Sequence, residues 1–165
     1  MDIRLLKPED AKEYKKIRLE ALQNSPEAFS SSFDEEKGNP VEAYENRLHS
    51  AESFTFGAFE RDRLMGVTTF LKEKKSKLKH RANIVALYVS PEKRGMGIGK
   101  SLMLAAIQKG KEMEEIEQIN LCVVSTNESA KKLYTSLGFK AFGIEKRALK
   151  IEGRYFDNEH MVLFL

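Results

Sequence analysis

The sequence predicts a mixed α/β (α+β) fold, a single domain over residues 1–165 built on a central sheet of about seven strands with four helices. Three observations predict it. Two alternating runs, "FTFGAF" (54–59) and "LMGVTTFL" (64–71), flank the turn "RDR" and read as a hairpin. A nearly continuous apolar run, a glycine-rich loop, a helical stripe and a second apolar run follow one another over 82–125, which makes one strand-helix-strand crossover. No repeat and no linker divides the chain, and 165 residues suit one domain.

Each element has a local reason. "DIRLL" (2–6) alternates as a strand. Pro8 then opens a helix whose Tyr14, Ile17, Ala21 and Leu22 share one stripe. Residues 24–40, rich in Ser, Gly, Pro and Asn, read as a long loop of the kind that is often functional. Asn39 as N-cap with Pro40 at the first helical position starts the second helix, and Val41, Tyr44 and Leu48 fall on one face. "KEKKSKLKHR" (72–81) reads as a charged, solvated hairpin tip, since it has no aromatic residue to stack on a base. "ANIVALYV" (82–89) has the composition of a strand covered on both faces. Ile98, Leu102, Ala105 and Ala106 make the third helical stripe, and "INLCVVS" (119–125) is a second buried strand. "TNESAKKLYTSLGF" (126–139) is a helix capped by Asn127 and stopped by Gly138, with Phe139 folding back. The tail reads as two strands joined near 152–154.

Composition narrows the function. A net charge of +3, from 28 basic and 25 acidic residues, is too mild to argue for nucleic acid. Cys122 is the one cysteine, so no intrachain disulfide forms; flanked by Leu121 and Val123, it reads as a buried, inert thiol. The start of the chain lacks a signal-peptide core, and no run reaches the length of a membrane span; the reading is cytoplasmic, with no membrane partner. His49, His80 and His160 form no metal-ligand spacing, and no metal is expected.

The loop "VSPEKRGMGIGKSL" (89–102) carries the chemistry. Gly95, Gly97 and Gly99 alternate between Arg94 and Lys100, just where a helix begins. A helix start leaves backbone N–H groups unpaired and its dipole favours an anion there. Glycines let that anion approach, so the loop suits a phosphate or diphosphate. A dinucleotide fingerprint would place its third glycine where Lys100 stands, and a P-loop would need its first glycine at Arg94. A plain capping turn without ligand is the bland alternative.

The segment Arg94-Gly95-Met96-Gly97-Ile98-Gly99 after "YVSPEK" matches [RQ]-x-x-G-x-[GA], and "NESAKKLYTSLGF" matches N-x-x-A-x-x-L-Y-x-x-x-G-F. On these two motifs the chain resembles the GNAT N-acetyltransferase superfamily, and its element order agrees. The resemblance implies the GNAT-like acyl-CoA N-acyltransferase fold and acetyl-CoA as co-substrate. It implies that Arg94, Gly95, Met96, Gly97, Ile98, Gly99 and Lys100 bind the diphosphate. It further implies that Leu87, Tyr88 and Val89 hold the pantetheine arm and offer an N–H to the thioester carbonyl. Asn127, Ser129 and Lys132 would contact the donor, although Asn127 serves equally as a cap and Lys132 as a solvated residue. Tyr134 would be the general acid that protonates the departing thiolate, or would simply pack. Glu36 is the expected base, and Glu27, Glu35, Asn83 and Tyr155 are expected to line the acceptor site. The acidic loop suits a small cationic amine first and a protein or peptide amine second. A CoA-binding module without catalysis and a P-loop phosphotransferase are the rivals, and a homodimer follows by analogy with the family.

Overall fold

The computed structural model describes all residues, Met1–Leu165. Seven strands form one sheet: β1 (Asp2–Leu5), β2 (Ser53–Glu60), β3 (Arg63–Lys72), β4 (Arg81–Val89), β5 (Gln118–Val124), β6 (Lys140–Ile151) and β7 (Arg154–Phe164), in the order β1-β2-β3-β4-β5-β7-β6. Every neighbouring pair is antiparallel except β4–β5. The helices are α1 (Ala11–Asn24), α2 (Phe33–Glu36), α3 (Val41–Leu48), α4 (Ile98–Lys111) and α5 (Glu128–Ser136).

One face of the sheet is covered by α1 and α3. There Tyr14, Ile17, Ala21 and Leu22 pack with Tyr44, Phe59, Leu64, Val67 and Tyr88. The opposite face is covered by α4 and α5, where Met103, Ala106, Ile107 and Tyr134 pack with Ile84, Ile119, Leu121 and Val123. Strand alternation therefore aims Ile119, Leu121 and Val123 of β5 at the α4 face and leaves Asn120, Cys122 and Val124 on the other. The helices α1 and α3 sit over the β1 to β4 side of this second face, and the turn Pro26–Ala28 reaches β5, where Asn120 and Val124 are buried and Cys122 is exposed.

Several local expectations are revised. The long loop contains α2, held by a capping box in which Glu35 N–H donates to Ser32 Oγ and Ser32 N–H donates to Glu35 Oε2. The N-cap of α3 is Pro40 rather than Asn39, one residue later than the sequence suggests, since proline's extended ψ of 162° precedes the first helical turn. β4 is not covered on both faces: Val85 is 40% exposed, because the strand leaves its neighbour there. The tail hairpin turns at Glu152-Gly153, both with positive φ, as a two-residue hairpin loop requires.

Candidate active site

The two parallel strands part company early. β4 and β5 pair only at Arg81–Gln118, Ala82–Ile119 and Asn83–Asn120, after which β4 continues to Val89 and β5 to Val124 unpaired. A bulge on β4 goes with this separation. Val67 faces Tyr88 and Thr69 faces Val85, so Ala86 and Leu87 stand opposite Thr68 alone. Ala86 takes a φ of +57°, a left-handed conformation that costs a non-glycine residue about 1–2 kcal/mol. Such a bulge bends the strand and drops an amide from the ladder. The result is a wedge through the sheet. Its β4 wall is tied to α1: the Tyr88 hydroxyl and Ser90 Oγ each donate to Glu20 Oε1 at 2.9 Å, and Asn24 Nδ2 donates to the Tyr88 hydroxyl at 2.9 Å.

The glycine loop lies at the mouth of the wedge. Its entry, the 3-10 turn Pro91–Lys93, is pinned to the β2–β3 hairpin by Glu92–Arg63 and Lys93–Glu60 ion pairs of 3.1 and 2.7 Å. Gly95 and Gly97 take φ of +76° and +79°, and a Cβ built on either meets no atom within 4 Å. Gly97 caps α4. No N–H group from Gly95 to Lys100 donates to a backbone carbonyl. Arg94 donates from Nε to Val89 O at 3.0 Å, which leaves its terminal nitrogens free. Lys100 and Lys132 have no carboxylate partner, whereas Lys131 is held by Glu128, Glu159 and Ser125 O. Free amides, open space and unengaged cations together fit a diphosphate.

The start of α5 completes this side. Asn127 Oδ1 accepts from Ala130 N–H at 3.2 Å, so Asn127 is the N-cap, with its side-chain amide nitrogen left over. A Cβ on Gly99 would touch Leu133 at 3.6 Å and Val89 at 3.9 Å, which places α5 against the α4 start and the end of β4. Ser129 and Lys132 are exposed on the first turns of α5. Tyr134 is 8% exposed and packs edge-on to Phe139. Burial, and secondarily the Cys122 thiol, pushes its pKa up to about 12. Its hydroxyl makes no hydrogen bond within the protein and is not sealed from solvent.

Opposite the glycine loop, the turn Pro26–Ala28 lies against β5. Glu27, on this turn, has no ion-pair partner. The other two loop carboxylates are occupied. Glu35 closes the α2 capping box. Glu36 is 4% exposed and accepts from Arg18, Arg47 and the Tyr44 hydroxyl at 2.8, 3.3 and 3.1 Å. Burial alone would raise its pKa, but Arg18 and then Arg47 outweigh it and hold the carboxyl at about 2. A carboxylate so deeply stabilised has neither the basicity nor a free lone pair to take a proton, so the expectation that Glu36 is the base is corrected. Asn83 stands at the apex of the wedge, where its amide donates to Glu73. Tyr155 lies on the β6–β7 hairpin beyond the last β5 pairing, under the Arg147 guanidinium.

Cys122 is exposed, contrary to the buried reading, because it projects to the open face rather than to the core. Partial burial of its sulfur, then the charge of Glu145, raises the thiol pKa. Two supports went unseen in the sequence. Glu20 and Asn24 stand four apart on one flank of the α1 stripe, a polar pair that signals a partner without naming it. The Ala86 bulge has no local signal.

Comparison with known families matches residues 3–161 to the acetyltransferase (GNAT) domain. The chain belongs to the GNAT acetyltransferase family. Among solved structures it is similar to a GNAT-family acetyltransferase from Streptococcus pneumoniae, with a TM-score of 0.88, 22% identity and 99% of each chain covered. It is also similar to yncA from Salmonella typhimurium, solved with its cofactor acetyl-CoA, at TM-score 0.82 and 20% identity over 100% of this chain and 94% of that one. A ribosomal-protein-alanine N-acetyltransferase from Brucella melitensis gives TM-score 0.82 and 20% identity over the whole of both chains. No curated protein matches.

Proposed function

We propose that the chain transfers an acetyl group from acetyl-CoA to the primary amine of a small cationic acceptor, by direct attack of the amine on the thioester. The observation that carries this reading is the row of unpaired amides, Gly95 to Lys100, at the mouth of the β4–β5 wedge. The acetyl-CoA bound by the similar Salmonella protein supports it.

Acetyl-CoA supplies the activated acetyl carbon. The amides of residues 95–100, with Arg94 and Lys100, hold the diphosphate, and Ser129 and Lys132 on the first turns of α5 contact the donor. The main chain of Leu87 and Val89 and the spare amide nitrogen of Asn127 hold the pantetheine arm. An N–H at Tyr88 or Val89, just past the bulge, steadies the thioester oxygen as it gains charge. Tyr134 donates to the sulfur as it departs. With the phenol near 12 and a thiol near 8.5, complete transfer costs about 5 kcal/mol. The hydroxyl therefore acts first as a hydrogen-bond donor and gives up its proton only as charge builds on sulfur. Glu27 favours a cationic acceptor across the wedge.

A peptide or protein amine is the second reading. The acceptor face is open, Phe142 and Tyr155 are 61% and 51% exposed, and the Brucella neighbour is named for a ribosomal-protein alanine. The test is thermal shift with coenzyme A, ATP and NAD, followed by free-thiol release from acetyl-CoA with polyamines, amino acids, aminoglycosides and short peptides. Coenzyme A alone should raise Tm, and thiol release should require an amine. Stabilisation by ATP without coenzyme A would overturn the assignment, and tight coenzyme A binding without release would leave a binding module.

A further inference from the structure

The open face beside the wedge carries a titratable pair that the proposed reaction has not used. On β7, His160 is paired in register with Cys122 of β5 and Gly143 of β6. Its neighbour Met161 packs into the α4-side core, so His160 points to the other face, the one that Pro26–Ala28 borders. There the imidazole Nε2 lies 3.2 Å from Glu145 Oε2, and the Phe142 ring stands 6.0 Å from it, centroid to centroid. Asn158 and Cys122 adjoin the pair, with Asn158 Nδ2 3.9 Å from Cys122 Sγ.

β5 is itself the wall of the wedge. His160 therefore stands one strand spacing, about 5 Å, behind that wall. Cys122, the residue between them, is the cross-strand partner of His160 and shares its face.

We propose that His160, oriented by Glu145, is the general base of the acetyl transfer. The inference rests on the acetyltransferase reading above and supplies the base that Glu36 cannot be. Nε2–H donates to Glu145, which leaves Nδ1 as the acceptor. Nδ1 takes one proton from the acceptor ammonium through a bridging water. The neutral amine then forms the N–C bond to the acetyl carbon as the C–S bond breaks. Tyr134 gives its proton to the departing sulfur, the second amine proton restores the phenol through water, and His160 returns its own to solvent. Glu145 is the positioning residue: its carboxylate, 3.2 Å from Nε2, holds the ring and fixes which nitrogen carries the proton. The charged and titratable groups on this face are Glu145 and Lys140 from β6, Cys122 from β5 and Glu27 from the turn; Lys140 is paired with Val162, one position along the same face.

The test uses the full chain and an amine that the wild type acetylates. His160→Gln should lower kcat/KM about 100-fold at pH 7 and move the acid limb of the pH profile up toward the amine's own pKa, so that activity recovers near pH 9. Glu145→Gln should lower it about 10-fold and keep the limb. Both variants should show the wild-type thermal shift with coenzyme A, which separates a lost base from a lost fold. An unchanged pH profile in His160→Gln, with activity within twofold of wild type, overturns the proposal while leaving the acetyltransferase reading standing. A wild type that turns over no amine removes both.

Discussion

Tyr134 is placed by two unrelated requirements. It lies on the apolar stripe of α5 and contributes to the core, yet its hydroxyl is left without a partner where the wedge passes. A hydroxyl that the protein leaves unbonded but open to solvent is free to bond a ligand. Tyr134→Phe keeps the ring and its contact with Phe139. It should lower kcat about 10- to 100-fold while the acetyl-CoA KM stays within about threefold. Steady-state kinetics checks this, and an unchanged kcat would reduce Tyr134 to packing. The nearby cysteine shows how little separates the two faces of a strand. Leu121 and Val123 are core residues, and Cys122 between them is not.

At the scale of the element, α4 begins with no side-chain cap, and Gly97 and Gly99 at its start do different work. Gly97 needs its positive φ, so a substitution there strains the backbone whatever the space. Gly99 has ordinary helical geometry, and its added methyl would only touch Leu133 and Val89. Gly99→Ala should therefore leave stability unchanged or raise it by about 0.5–1 kcal/mol through helix propensity. If donor backbone approaches that position, acetyl-CoA affinity should fall at least about tenfold in the same variant. Thermal melts and coenzyme A titration of one protein read both effects, and unchanged affinity would move the diphosphate away from Gly99.

At the scale of the molecule, the wedge depends on pairings between distant parts of the chain. The β4 wall is steadied by α1 through Glu20, and α1 is in turn joined to α2 and α3 through Glu36. Glu36 has a folded pKa of about 2 against an ordinary 4.5. A depressed carboxylate stabilises the fold above its unfolded pKa and loses that contribution as pH falls through the folded one. Roughly 3 kcal/mol should therefore be lost between about pH 4.5 and 2. Glu36→Gln should lower Tm at pH 7 by roughly 10 °C, because two arginines lose their anion, and should flatten the acid limb of the stability curve. Denaturant melts across pH 2–7 test it; a variant that keeps the wild-type pH dependence would assign the loss to other carboxylates.

Legible in the residues alone were the seven strands, four of the five helices, the N-cap at Asn127, the left-handed stop at Gly138 and the glycine loop that opens α4. These depend on neighbours within a few residues, where periodicity and capping chemistry decide. Tertiary structure alone decided which carboxylate was free. Glu27, Glu35 and Glu36 look alike in one acidic loop, yet Glu35 caps a helix, Glu36 is sealed between arginines and Glu27 is left without an ion-pair partner. It alone set the Ala86 bulge, the exposure of Cys122 and the meeting of His160 with Glu145. The physical reason is that a strand's register, and the face each side chain takes, are fixed by partners far away in the chain.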